Sequence, residues 1–290
     1  MKVLVLGATG YIGSAVVSLL TREGHDVVPL VKNAAALRPD TPVRVGDLTD
    51  PASLRAAVTD DVDAVVNLAT PTGDEAVDTA ALEALLAPLR GTGRAFVYTS
   101  GVWVLGATGD VPLTEDAGTD PIAIVGYRPR IEQRVLATAG DDVRAVVIRP
   151  GIVYGRDGGI PALMTGWARE HGTGRYVGPV ATRWPMVHVD DLAELYALAL
   201  SKAAPGDLLH GVAWESVPAA AIAAAADIAA GGTGRAEPWP LAEAAEVLGV
   251  PFAEALALDQ VVSGRRAVDE LGWRPSRPHV LTEIAGGTRG

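Results

Sequence analysis

The sequence predicts an α/β fold, a doubly wound parallel sheet with a smaller C-terminal substrate-binding region. Three observations carry that expectation. Short apolar, β-branched runs recur as far as Pro150, each separated by a helical or loop segment. The first of these runs meets a glycine-rich turn that leads straight into an amphipathic segment. After Gly155 the alternation gives way to a longer, less regular stretch.

The first strand is Lys2 to Leu6 (KVLVL), continuously apolar as a parallel strand buried on both faces must be. GATGYIG follows, with Gly7, Gly10 and Gly13 in G-x-x-G-x-x-G spacing, and the periodic SAVVSLLTREG then closes on a glycine. Bare backbone in a strand-to-helix turn lets a pyrophosphate approach a helix N-terminus, so this context points to a dinucleotide site. The later runs are HDVVPLV, TPVRVGDLTDP, VDAVVNLAT, GRAFVYTS and VRAVVIRP. Asp50 before Pro51 makes a helix cap and first-turn pair. At the end of the second run, PLVKN presents Lys32 and no acid. A cation there suits a 2′-phosphate, which predicts NADPH as the preferred cofactor with NADH possible.

A chain of 290 residues suits one large α/β unit or two closely joined domains. The expected division is a dinucleotide-binding core over 1–155 and a substrate-binding region over 156–290. Helices return to the core near 186–202, and PWPLAEAAEVLGVPFAEALALDQ predicts two short helices broken at Pro251, a lid near 238–258. The absence of cysteine excludes disulfides and thiolate chemistry, and the histidines form no ligand pair at helical spacing, so no metal is expected. A net charge of −11 argues against nucleic acid. The opening apolar run is too short for a signal or a membrane span, and a cytoplasmic protein is expected.

Beyond GATGYIG, the chain resembles the extended or atypical branch of the short-chain dehydrogenase/reductase superfamily, the NAD-dependent epimerase/dehydratase-like proteins. The resemblance rests on GDL (Gly46 to Leu48), NLAT (Asn67 to Thr70), YTSG, RPGIVYG (Arg149 to Gly155), VHVDDLAELYALAL and ELGWRPSRP, and covers most of the chain. It implies a Rossmann-type core. It also implies cofactor contacts from Gly7, Thr9, Gly10, Tyr11, Ile12, Gly13, Lys32, Asp47, Leu48, Leu68, Ala69, Thr70, Arg130, Pro150, Gly151 and Ile152. Substrate contacts are expected from Gly101, Val102, Trp103 and Tyr154, joined by Arg183, Trp184 and His188 on the approach to VDDLAEL. Asp190 or Asp191 is read as the cap of that helix.

The resemblance implies hydride transfer between nicotinamide C4 and a carbonyl carbon, with a tyrosine moving the proton. A lysine one helical turn later lowers that tyrosine's pKa, and a serine or threonine binds the carbonyl. In VGYRPRIE, taking Tyr127 as the tyrosine puts Ile131 at the lysine position. Matching Arg130 to the lysine and Glu132 to the following acid puts Gly126 at the tyrosine position, and this register continues the helix without an offset. Gly101 falls where the hydroxyl is expected, with Thr99 and Ser100 beside it. The candidate catalytic residues are therefore Ser100, Thr99, Tyr127 and Arg130.

Loss of the pair resembles antibiotic-pathway ketoreductases of the angucyclinone type, such as that of simocyclinone biosynthesis. The leading expectation is an NADPH-dependent ketone reductase acting on a bulky, aromatic polyketide. A sugar-nucleotide epimerase or dehydratase is the alternative enzyme, and a non-catalytic NADP sensor the alternative of another class. The expected partner is a small-molecule ketone, with neither nucleic acid nor membrane. The resemblance implies pairing through the two helices flanking the fifth strand, but those here, around Glu75 to Arg90 and Tyr127 to Ala139, show no apolar stripe exceeding one core-facing side, and a monomer or homodimer is expected.

Overall fold

The computed structural model describes residues 1–33 and 42–286. Strand β1 (Lys2–Leu6) leads into α1 (Tyr11–Arg22), whose Ala15, Val16 and Leu20 are buried. β2 (Asp26–Val31) and β3 (Arg44–Val45) follow, then α2 (Pro51–Ala57), capped by Asp50, which accepts from the Ala52 and Ser53 N–H groups. β4 (Ala64–Asn67), α3 (Glu75–Leu86), β5 (Ala95–Thr99), α4 (Arg128–Ala137) and β6 (Arg144–Pro150) complete the predicted alternation. The rest of the chain adds β7 (Ile152–Gly155), α5 (Gly159–His171), β8 (Gly174–Val177), β9 (Arg183–His188), α6 (Val189–Lys202), β10 (Asp207–Gly211) and β11 (Trp214–Pro218). It ends with α7 (Ala219–Ala229), β12 (Ala236–Trp239), α8 (Leu241–Leu248), α9 (Val250–Ala257), α10 (Arg265–Leu271) and α11 (Val280–Gly286). Among the described residues no helix is long and apolar enough to cross a membrane.

Among the described residues the main sheet has seven strands, ordered β10-β6-β5-β4-β1-β2-β3, and every pairing from β3 across to β6 is parallel. This is a Rossmann-like α/β fold. The strand order reverses between β1 and β4, and at such a switch point the loops after the two strands diverge to opposite faces and leave a crevice. One face is covered by α3 and α4: Leu82, Leu85, Ile131 and Val135 pack on Phe96, Tyr98, Ala145 and Val147. Those strand residues alternate, as one face of a strand requires.

The chain divides into two compact units; the first stops short of residue 155 and lacks 101–126, and it takes in Ala193–Leu209, overlapping the return to the core expected near 186–202. One unit comprises Met1–Ser100, Tyr127–Arg149 and Ala193–Leu209; the other comprises Gly101–Gly126, Pro150–Leu192 and the chain from His210 onward. Inside the second unit, β7 and β9 run parallel, β9 and β11 antiparallel, and β8 pairs with β12. The helices expected as a lid are present, with Pro251 in the first turn of α9. Their inner residues Ala244, Ala253 and Leu256 are buried with Trp184 and Trp239 in that unit's core. The pair is therefore anchored by apolar burial rather than loosely laid over a surface.

Candidate active site

The glycine turn occupies the switch point. Gly7 has φ +72°, and a Cβ there would stand 2.5 Å from the Leu68 carbonyl oxygen and 2.8 Å from the Ala69 nitrogen. A Cβ on Gly13 would stand 2.0 Å from the Gly7 carbonyl oxygen. Only glycine fits either position. Gly10 begins α1 with no side-chain cap, and the first turn of α1 holds no acid. The positive dipole end of the helix suits an anion. Thr9 and Gly10 are exposed on the turn, Tyr11 and Ile12 half-buried behind it. Across from it, Asn67 Oδ1 accepts the Ala69 N–H at 3.1 Å and bends the chain after β4, leaving Thr70 exposed. These residues fit the pyrophosphate of a nicotinamide dinucleotide.

Lys32 directly follows β2, and its side chain is 72% exposed with Nζ 3.4 Å from Asp47 Oδ1. The local reading found no acid beside this lysine; the fold supplies one from the turn after β3. Asp47 also accepts the Thr49 N–H at 2.9 Å and hydroxyl at 3.0 Å. The Thr49 N–H foremost, then its hydroxyl, and to a lesser degree Lys32, hold the Asp47 carboxyl below its usual range. Leu48 packs half-buried on the core of the first unit.

The four candidate catalytic residues separate by face. Thr99 Oγ1 lies 2.7 Å from the hydroxyl of Tyr196 in α6, and the two share a hydrogen bond. Tyr127 caps α4, and its phenol donates to Asp78 in α3 at 2.5 Å. Burial, and then that carboxylate, push its pKa up to about 12. Ser100 is buried, and its Oγ has no hydrogen-bond partner. Arg130 corrects the sequence reading: its guanidinium is exposed and grips Glu75 through two bonds of 2.6 Å.

The α4 residue that the sequence reading missed is Arg128. Glu132 is buried against Arg149, with bonds of 3.0 and 2.6 Å, and this pair sets the inward phase of the helix. Four residues before Glu132, on the same side, stands Arg128, half-buried. Its charge acts on the Tyr98 and Tyr127 phenols, opposing the rise that burial imposes on each. Among the described residues, no carboxylate lies within ion-pair distance of it. The signal was the acid: phasing α4 on Glu132 with its i−4 neighbour, rather than i−2, selects Arg128.

The expected residues of the second unit are mostly packing groups. Gly151 donates to the Gly211 carbonyl at 3.0 Å, and a Cβ there would stand 2.6 Å from the Pro185 oxygen. Pro150, Ile152 and Val102 are buried. A Cβ on Gly101 would stand 4.0 Å from the Pro150 carbonyl oxygen, an ordinary contact, and Trp103 is half-buried against the apolar core. Tyr154 is 1% exposed and donates to the Pro278 carbonyl at 2.7 Å. Trp184 is buried, donating to the Leu256 carbonyl. Arg183 binds both oxygens of Asp259, at 2.9 and 2.6 Å, and Asp110 at 2.9 Å. These three were expected at a ligand; their polar atoms are committed to the protein instead.

His188 is buried as well. Its Nδ1 accepts the Asp190 N–H at 3.0 Å, which makes Nε2 the donor to Glu283 at 3.0 Å. Glu283 in turn lines a cavity of about 440 Å³ with Gly158, Thr165 and Arg169, which contains none of the residues expected at the substrate. Asp191 accepts the Ser276 and Arg277 N–H groups at 3.0 and 3.1 Å, while Asp190 pairs with Arg156 at 2.5 Å. Asp191 thus staples a later segment to the start of α6.

Residues 3–210 match the family model described as the NAD dependent epimerase/dehydratase family. An uncharacterised protein of Schizosaccharomyces pombe is 33% identical over 98% of both chains. A 3-diazoavenalumate denitrifying reductase of a Streptomyces species is 29% identical over 96% of this chain and 97% of its own. The crystal structure of human epimerase family protein SDR39U1 with NADPH superimposes with a TM-score of 0.78 at 27% identity, covering 99% of each chain.

Proposed function

Because the chain belongs to the NAD-dependent epimerase/dehydratase family, we propose that it is an NADPH-dependent ketone reductase working without a tyrosine-lysine pair. The bound nicotinamide supplies a hydride to the carbonyl carbon. The protein's task is to hold that carbon in place and to donate to the oxygen as it becomes negative. One observation carries this reading: Thr99 at the end of β5 and Tyr127 at the start of α4 each hydrogen-bond another side chain, and the Ser100 hydroxyl has no partner. Ser100 is the group we assign to the substrate oxygen.

The direction of reaction follows from the same inventory. Epimerases and dehydratases first oxidise an alcohol and need a base to take its proton. Tyr127, pushed up to about 12 and already donating to a carboxylate, is a poor base near neutral pH. Reduction asks for less, because a substrate carrying a phenol beside its ketone brings its own proton. That favours a bulky aromatic ketone of polyketide type, and a reductase among the relatives agrees with net reduction. Lys32 supports NADPH over NADH.

The test is turnover with NADPH against a panel of quinones, polycyclic ketones and nucleotide sugars. One alcohol formed per NADPH consumed is expected from an aromatic ketone. A sugar interconverted without net cofactor consumption establishes the epimerase instead, and tight NADPH binding with no turnover establishes a sensor.

A further inference from the structure

Ser100 and Arg149 stand side by side at the C-terminal ends of neighbouring strands. β5 and β6 pair with Tyr98 opposite Val147 and Thr99 opposite Ile148, and the Ser100 N–H continues the ladder to the Ile148 carbonyl at 2.8 Å. The next pair in register is Ser100 opposite Arg149. Alternation places both on the face that α4 covers, in line with Tyr98 and Val147, and Arg149 reaches Glu132 there. Ser100 is 6% exposed and Arg149 3%. Each keeps one buried polar atom with no hydrogen-bond partner, Oγ of the serine and Nη1 of the arginine. Unpaired buried donors are strongly unfavourable, and adjacent ones are where proteins hold ordered water.

We propose that Arg149 is a positioning residue for Ser100, acting through one bound water. Nη1–H donates to the water oxygen, and the water donates to Ser100 Oγ. The serine O–H is thereby turned away from α4 and becomes the donor to the substrate oxygen. Glu132, holding the guanidinium through Nε and Nη2, leaves Nη1 as the remaining arm. Every link is a hydrogen bond and no proton is transferred along it, so the proton that completes the alcohol still comes from the substrate phenol or solvent. The buried cation behind the chain strengthens the last donor as the substrate oxygen gains charge. This rests on the reading that Ser100 faces the substrate.

The experiment is a double-mutant cycle on ketone reduction, using Ser100→Ala, Arg149→Lys and both together, with kcat and KM measured separately. Lysine keeps a cation opposite Glu132 and removes Nη1. Arg149→Lys is expected to lower kcat about tenfold while KM for NADPH stays within about twofold, since the interaction serves the transition state. In the Ser100→Ala background the same change is expected to cost less than about twofold. An equal factor in both backgrounds overturns the coupling. A high-resolution crystal structure of the unaltered protein gives a second measure that needs no variant to fold. A water within hydrogen-bond distance of both Oγ and Nη1 is expected there, and its absence overturns the proposal. Failure of the unaltered protein to reduce any ketone removes the reductase reading and this inference together, whereas active enzyme with independent losses removes this inference alone.

Discussion

The phenol of Tyr127 donates to the carboxylate of Asp78 at 2.5 Å, tying the first turn of α4 to α3. A tyrosine so placed is structural. Tyr127→Phe is expected to keep kcat within about threefold, against the roughly 10²–10⁴ lost with a true general acid. Steady-state kinetics of the variant decide it, and a loss of several orders of magnitude would restore Tyr127 to catalysis.

The same residue predicts an alkaline signature. An ordinary phenol ionises near ~10, whereas burial and Asp78 push Tyr127 up to about 12. Its folded pKa is raised, so its contribution to stability is complete below about pH 10 and disappears as pH climbs toward 12. Absorbance titration of tyrosinate should lose a late component in Tyr127→Phe, and the variant's stability should fall less over that window. Superimposable curves would contradict the assignment.

Lys32 should select the cofactor. Lys32→Asp is expected to weaken NADPH binding by about tenfold or more while NADH changes by no more than about threefold, since only NADPH carries the 2′-phosphate. Titration of both cofactors by fluorescence tests this. An unchanged ratio removes the argument for NADPH, the more so because Asp47 already neighbours the lysine.

The two arginines of α4 should behave differently. Arg130→Gln is expected to leave kcat and cofactor affinity unchanged, because its guanidinium is exposed and occupied by Glu75. Arg128→Gln removes a half-buried cation beside Tyr98, and a fall in NADPH affinity or kcat of about tenfold is expected for a charge at that end of the sheet. The opposite ranking would reinstate the register read from the sequence.

Asp191 is expected to matter for stability and not for chemistry. Its carboxylate is 2% exposed and accepts two backbone N–H groups, so Asp191→Asn should cost about 1.5–3 kcal/mol. Denaturant unfolding reads that loss, while kcat at low temperature stays unchanged. A collapse of kcat with normal stability would make Asp191 part of the site.

What was legible in the sequence was local. Gly7 and Gly13 could be read because a glycine turn between strand and helix has one physical reason, and the structure shows the close approach that demands it. The alternating runs could be read because burial on two faces leaves an unbroken apolar signature. Arg183 and Trp184 could not, since their partners Asp259 and Leu256 lie more than 70 residues away and convert two apparent ligand groups into packing. The phase of α4 failed for the same reason: Glu132 is turned inward by Arg149, 17 residues later. The choice between Thr99 and Ser100 needed to know which helix covers which face, and Tyr196 of α6 answers it from 97 residues away.

The interleaving of the two units also governs how the protein is made. The first unit takes its last piece from Ala193–Leu209, including most of β10, the edge strand beside β6. A nascent chain emerging from the ribosome therefore cannot finish the cofactor-binding sheet until the intervening segments of the second unit have already been synthesised. A gene cut after codon 155 would encode a sheet missing an edge and exposing β6. Exchanging the substrate region therefore means replacing three separate segments, 101–126, 150–192 and the chain from 210, rather than one tail.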